Sequence, residues 1–307
     1  MSFLRSALAF AGFVMLAGCS GGAELPDDVT QSPYFGSDDR IVDLDGQTIR
    51  VRESGPSDAQ SIILLHGFTD SLHTWEGLVE ELNQDFRVIR PDLPGHGLSG
   101  PDPEGDYSNE ALVTFVADLI TETGAETPVL VGNSLGGLAA WRFAATQPDA
   151  VKGLVLLAPG GVPHNGVTDV PAEVPAMLRF YLNNAPKAGV QAAMEAMYGD
   201  ASKLTEDRVN EYRDLMAGQG AAFVARAAQF ALPDPQDDMQ NVTAPTLILW
   251  GSEDRVLPPA HADMFVDSMP EAELIALEGV GHLPHAEVPD AVIDAIRRVA
   301  NIEEAAP

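Results

Sequence analysis

The chain has 307 residues, 45% of them hydrophobic and 21% charged, which is an ordinary globular composition with room for one large α/β domain or two small ones. Seventeen Lys plus Arg stand against 46 Asp plus Glu, a net charge of −29; without a basic stripe, nucleic acid is excluded as an expected partner. The acids are spread along the chain, so they do not form a disordered acidic tail, and they suit solubility or a salty or extracytoplasmic setting.

The N-terminus departs from this pattern. Arg5 is the only charge in the first twenty residues, and residues 7–17 are almost wholly apolar. Such a run is too short to span a bilayer, which takes about 20 residues, but it fits the apolar core of a secretory signal. It ends in Leu16-Ala17-Gly18-Cys19, followed by Ser20-Gly21-Gly22. This resembles the bacterial lipobox, in which cleavage precedes the cysteine and the thiol is lipidated. The reading is therefore a signal peptide over 1–18 and a tether over 19–37, lipid-anchored at Cys19, on the periplasmic side of a bacterial envelope. The plainer alternative is an ordinary secretory signal that contains a cysteine. Cys19 is the only cysteine, so no intrachain disulfide can form.

Past the tether, short alternating runs at 41–44 and 48–52 flank Asp45-Gly46-Gln47, a hairpin signal. Strands are predicted at 61–65, 86–90, 129–132, 151–158, 246–250 and 273–277. Between and after them, helices are predicted at 72–83, 108–123 with Ser108 as N-cap, 134–146, 259–268 and 287–300. Apolar strands alternating with amphipathic helices imply a mainly parallel sheet covered on both faces. The block 161–241 breaks the rhythm. It offers helices at 175–183, 188–198, 205–217 and 221–230 but no convincing strand, as expected of a lid or second domain inserted between two strands.

Gly132-Asn133-Ser134-Leu135-Gly136 lies between a predicted strand and a predicted helix. In that context a G-x-S-x-G run presents the serine as a nucleophile on a sharp turn, and the amide of Leu135 lies at a helix N-terminus. A serine hydroxyl needs a base. Of seven histidines, His282 follows the strand at 273–277 through a glycine-containing turn and is best placed, with His285 as its rival. His66, followed by Gly67, and His96, between Gly95 and Gly97, read as structural. His73 and His261 read as surface or packing residues, and His164, at the start of the lid, could touch substrate. Asp254 follows the strand at 246–250 and lies between nucleophile and base in chain order, a fit orienting carboxylate. His66-Gly67-Phe68 follows another strand, so the amide of Phe68 can pair with that of Leu135 to hold an oxyanion.

This order of Ser, Asp and His, the preceding His-Gly-Phe loop, "RPDLPGHGLS" at 90–99 and "GVGHLPHAEVPD" at 279–290 together resemble the α/β-hydrolase family. The resemblance covers about residues 38–300. It implies an eight-stranded, mostly parallel sheet over 38–160 and 242–301, helices on both faces and an inserted helical cap at 161–241. It carries over Ser134, Asp254 and His282 as the catalytic triad and the amides of Phe68 and Leu135 as the oxyanion hole. It implies no cofactor and no metal. Serine stands where haloalkane dehalogenases and epoxide hydrolases carry aspartate, which leaves ester hydrolysis as the default. "GNSLGG" and "LLAPGGV" also resemble meta-cleavage-product hydrolases, which break carbon–carbon bonds. A non-catalytic binding protein on the same fold is a third reading. Met177, Phe180, Tyr181, Met194, Met197 and Phe223 suit either an apolar substrate group or a helical core. Oligomeric state is not legible from the sequence.

Overall fold

The computed structural model describes residues 28–164 and 167–300. The expected signal peptide, Cys19 and the first part of the tether lie outside the described residues. From residue 28 the chain is packed: Asp28 caps a short 3-10 turn over Val29–Gln31, and the Tyr34 hydroxyl donates to Asp214 at 2.9 Å.

Eight strands form one sheet: β1 (Asp39–Leu44), β2 (Gln47–Ser54), β3 (Ser61–Leu65), β4 (Arg87–Pro91), β5 (Val129–Asn133), β6 (Gly153–Leu157), β7 (Thr246–Gly251) and β8 (Ala272–Leu277). Their spatial order is β1-β2-β4-β3-β5-β6-β7-β8. The pairs β1/β2 and β2/β4 are antiparallel and all others parallel. At the tip of the first hairpin Asp45 and Gly46 have φ of 53° and 84°. Positive φ at both central residues is what a two-residue hairpin turn matching the strand twist requires, and Asp-Gly tolerates it best.

The helices are α1 (Glu76–Leu82), α2 (Asn109–Thr123), α3 (Leu135–Thr146), α4 (Ala176–Asn184), α5 (Lys187–Met197), α6 (Glu206–Met216), α7 (Gly220–Gln229), α8 (Gln236–Met239), α9 (His261–Ser268), α10 (Pro284–Glu287) and α11 (Pro289–Ala300). Strand side chains alternate between two cores. Ile62 and Leu64 of β3 pack with Trp75, Leu82, Val292 and Ile296 on one face, and Ile63 and Leu65 pack with Leu112, Phe115 and Trp141 on the other. Covering both faces is what makes β3, β5 and β6 buried at every position, and hence apolar without a polar alternation.

Between β6 and β7 lie α4 to α8 and no strand among the described residues, only an isolated bridge between His164 and Val167. Leu182, Val190, Met194, Tyr212 and Phe223 give this segment its own apolar cluster. Two expected elements differ from observation. The helix expected over 72–83 opens with a 3-10 turn at Leu72–Trp75 before α1. The helix expected over 287–300 begins two residues later, at Pro289, and Glu287 instead ends the separate short α10, because Pro289 lacks an N–H and disfavours the helical region for Val288.

One buried ion network sets the loops on the site side. Arg50, with no exposed surface, bonds Asp39 at 2.7 Å and Asp92 at 3.2 Å. Asp92 in turn accepts the amides of Leu72 at 2.7 Å and Leu98 at 2.8 Å. The loops after β3 and β4 are thus tied to the hairpin by groups that burial would penalise if left unpaired.

Helix α3 leaves β5 so close to β3 that a Cβ on Gly136 would overlap the Leu65 carbonyl, and one on Gly132 would overlap the backbone of Gly136. Gly136→Ala should therefore destabilise the fold by about 2 kcal/mol or more, lowering Tm by several degrees in thermal unfolding. An unchanged Tm would contradict this crossing.

Candidate active site

Ser134 joins β5 to α3 with φ 52° and ψ −111°, in a region that side-chain-bearing residues avoid. The strain is held on three sides. Its amide donates to Leu157 O at 3.1 Å, and its carbonyl accepts from Leu138 N at 2.9 Å and Gly160 N at 2.8 Å. The side chain is only partly buried and lines a cavity of about 200 Å³. Leu135 is the first residue of α3, so its amide is one of the first-turn donors that a helix leaves without an internal acceptor. Phe68, in the loop after β3, lines the same cavity.

Asp254 follows β7 and is buried. Its Oδ1 accepts the amides of Val256 at 2.8 Å and Leu257 at 2.9 Å, which fixes the carboxylate plane. Its Oδ2 lies 2.7 Å from His282 Nδ1. A carboxylate accepts only, so Nδ1 carries a proton, and in the neutral ring the lone pair is then on Nε2. His282 lines the cavity together with Ser134. The structure thus joins Asp254 to His282 directly, and places His282 and Ser134 on one cavity wall without a hydrogen bond between the two side chains.

The loop carrying His282 is fastened by the Met197 carbonyl and by Asn133 and Glu287, two side chains that sequence reasoning did not single out. The His282 amide donates to Met197 O at 2.6 Å, and Asn133 Nδ2 donates to the His282 carbonyl at 3.0 Å. Buried Glu287 accepts the amide of Gly281 at 2.7 Å and those of Gly199 at 3.1 Å and Asp200 at 3.0 Å. Asn133 sits beside the serine in the motif itself. Glu287 stands among apolar residues of the segment 279–290, where a charged residue invites a search for buried donors.

The other histidines have different roles. His66 Nε2 accepts the Leu93 amide at 2.9 Å, so its Nδ1 donates to Gly67 O at 2.8 Å, and burial lowers its pKa. His285 is buried against Trp75 at 4.4 Å between ring centroids, with Nε2 at 2.8 Å from Thr74 Oγ1. Burial pushes its pKa down to about 3. His96 is buried among His66, Phe68 and Phe223, and burial likewise holds it well below the ordinary value. His164 packs edge-on against His261 and is not among the residues lining the cavity.

The apolar residues noted in the inserted block divide three ways. Tyr181 and Met197 line the cavity, Met194 and Phe223 belong to the core of the block, and Met177 and Phe180 are exposed. Among the described residues no group of three or more His, Cys, Asp or Glu side chains could hold a metal, and no helix is long and apolar enough to cross a membrane.

A family model described as the alpha/beta hydrolase family matches residues 62–295. An uncharacterized protein of Mycobacterium tuberculosis (strain ATCC 25618 / H37Rv) is 33% identical over 278 residues, covering 85% of this chain and 80% of that protein. A 2-hydroxy-6-oxononadienedioate/2-hydroxy-6-oxononatrienedioate hydrolase of Burkholderia vietnamiensis is 27% identical, covering 78% of this chain and 86% of that one. Among solved structures, an esterase from Rhodococcus sp. ECU1013 superposes with a TM-score of 0.72 at 24% identity, over 86% of this chain and 99% of that one.

The environment of His285 has a pH signature. Unfolded, its imidazole titrates near 6.5; folded, only near 3. Between these values unfolding takes up a proton, so the contribution is fully present above about 6.5 and is lost as pH falls. Denaturant unfolding followed from pH 7 to pH 4 should show His285→Phe taking up about one proton fewer than wild type. Parallel curves would mean that His285 is not held neutral.

Proposed function

The chain belongs to the alpha/beta hydrolase family, and on that premise we propose that it is a serine hydrolase of carboxylic esters. One observation carries the reading: a histidine bonded to a buried carboxylate shares a cavity wall with a serine on a strained strand-to-helix turn. In the proposed reaction Ser134 Oγ attacks the ester carbonyl while His282 Nε2 takes its proton, and Asp254 holds the imidazole in the required tautomer and offsets its developing charge. The amides of Phe68 and Leu135 receive the oxyanion. The protonated His282 then gives its proton to the departing alcohol. Water activated by His282 attacks the acyl-enzyme, and release of the acid restores Ser134.

The cavity favours an ester with an apolar group. Leu178, Tyr181, Leu182, Met197 and Val256 supply its walls. The alternative, carbon–carbon bond hydrolysis, draws support from the Burkholderia relative, whose name specifies a dicarboxylate substrate. Among the described lining residues none is Lys or Arg, so the cavity offers no cation to hold such a substrate, and the ester reading is preferred. Leu178, which lines the cavity, is exposed at 38%, and its neighbours on α4, Met177 and Phe180, are exposed at 47% and 53%, which suits an apolar substrate. We place the protein in the bacterial envelope, lipid-anchored through Cys19.

Ser134→Ala should lower kcat for p-nitrophenyl butyrate by about 10⁴-fold or more and abolish labelling by a fluorophosphonate. Activity surviving in the variant would remove Ser134 from its role, and a wild type inert to both reagents would favour a pure binding protein. Cys19→Ser should move the protein from the membrane to the soluble fraction on cell fractionation; persistence in the membrane would refute the lipid anchor.

A further inference from the structure

Apart from Asn133, Ser134 and His282, the polar lining of the largely apolar cavity comes from Thr69, Asp70 and the tyrosines Tyr181 and Tyr212. The hydrogen bonds at Thr69, Asp70 and Tyr212 run in one direction. Thr69 Oγ1 donates to Phe68 O at 2.6 Å, so in its contact with the Tyr212 hydroxyl Thr69 accepts and Tyr212 donates. Both hydroxyl hydrogens are engaged. Asp70 Oδ1 accepts the Ser71 amide at 2.8 Å and Arg208 at 2.5 Å, whereas Oδ2 accepts nothing from the described residues. Asp70 is nevertheless not sealed in the core, since its side chain keeps 7% exposure. The wall formed by Thr69, Asp70 and Tyr212 therefore presents acceptors and no free donor, and, Ser134 apart, the one further hydroxyl among the described lining residues without a side-chain partner is that of Tyr181.

Its charge has the same sense. Arg208 does not line the cavity, and its guanidinium is shared between Asp70 and Glu211, each at 2.5 Å. Two carboxylates stand against one guanidinium. Burial alone would raise the Asp70 pKa, but the Arg208 charge more than offsets this and holds it below the ordinary carboxylate value. At neutral pH the free oxygen is that of an ionised carboxylate.

We propose that this wall is a subsite for a hydrogen-bond donor, a hydroxyl or protonated amine, carried by an otherwise apolar ester, and that Asp70 determines this preference. The proposal rests on the ester-hydrolase reading for its chemistry but on the Asp70 wall for its selectivity. A desolvated acceptor left unpaired by a plain alkyl chain is costly, and a site built to bond a polar group rejects an analogue lacking it more strongly than it senses a methylene. A carboxylate brought beside Asp70 meets like charge that Arg208, shared with Glu211 outside the cavity, offsets only in part.

The test uses p-nitrophenyl alkanoates of several chain lengths, each with a terminal methyl, hydroxyl, ammonium or carboxylate group. At the chain length that reaches the wall, wild type should prefer the hydroxyl and ammonium esters to the carboxylate ester in kcat/KM by about tenfold or more. Asp70→Asn leaves Arg208 with one carboxylate fewer and should collapse this ratio, raising the relative rate on the carboxylate ester. Tyr212→Phe, which keeps the ring packing, should weaken the hydroxyl preference without reversing the charge preference. Ratios unaffected by Asp70→Asn, or absent in wild type at every length, would overturn the subsite. If Asp70→Asn does not fold, the wild-type ratios and Tyr212→Phe decide. If wild type turns over no ester, the ester reading fails by itself. The subsite is then read by thermal shift with 1-hexanol, 1,6-hexanediol, 6-amino-1-hexanol and 6-hydroxyhexanoate, and equal shifts for all four would overturn it.

Discussion

The molecule is organised around the crossing of α3 over the ends of β3 and β5. Ser134 occupies a backbone conformation that costs on the order of 1–3 kcal/mol, and the hydrogen bonds to Leu157, Leu138 and Gly160 keep it there. The crossing admits no side chain at Gly132 or Gly136, so helix, turn and two strands are packed backbone against backbone. Its consequence is directional. The serine hydroxyl stands above the carboxyl ends of the parallel strands, where the loops bearing Phe68, Asp254 and His282 also emerge. Strand polarity brings them to one edge of the sheet.

Within that gathering, environment rather than residue type sorts the histidines. His282 and His285 are three residues apart, and both are buried. His282 meets a carboxylate whose other oxygen is locked by two amides. His285 meets Trp75 and a threonine hydroxyl, and burial keeps it neutral. His66 uses both ring nitrogens to shape the loop that carries Phe68. A buried imidazole can thus serve as structure or as chemistry, and what decides is whether an acceptor holds Nδ1 while Nε2 faces open space.

Much of the sheet was legible because parallel strands covered on both faces must be apolar throughout, as in Ile62–Leu65 and Leu154–Leu157. The Asp-Gly hairpin and the Ser108 cap, whose Oγ accepts the Ala111 amide at 3.1 Å, announced themselves through local chemistry. The short α10 ahead of Pro289 was not anticipated, because four residues are too few to show a helical period. Of the site, the residues on sharp turns after strands could be read in order. Those fastening them could not. Asn133, Arg208 and Glu287 act across separations of up to 149 residues in the chain, and nothing local to a residue reveals a partner so distant. Nor could sequence say which of the six marked apolar residues of the inserted block would face the cavity, since an interior position and a cavity wall impose the same composition.

Glu287 gives that fastening a mechanical meaning. One buried carboxylate gathers amides from the lip of the inserted block, at Gly199 and Asp200, and from the base-bearing loop, at Gly281. Separating the two would strand a negative charge with fewer donors in a poorly solvated place, a cost far above that of parting two apolar surfaces of the same size. The lip and the loop therefore share a hinge pin. At the His282 end the inserted block is thereby anchored to the very segment whose position the chemistry demands.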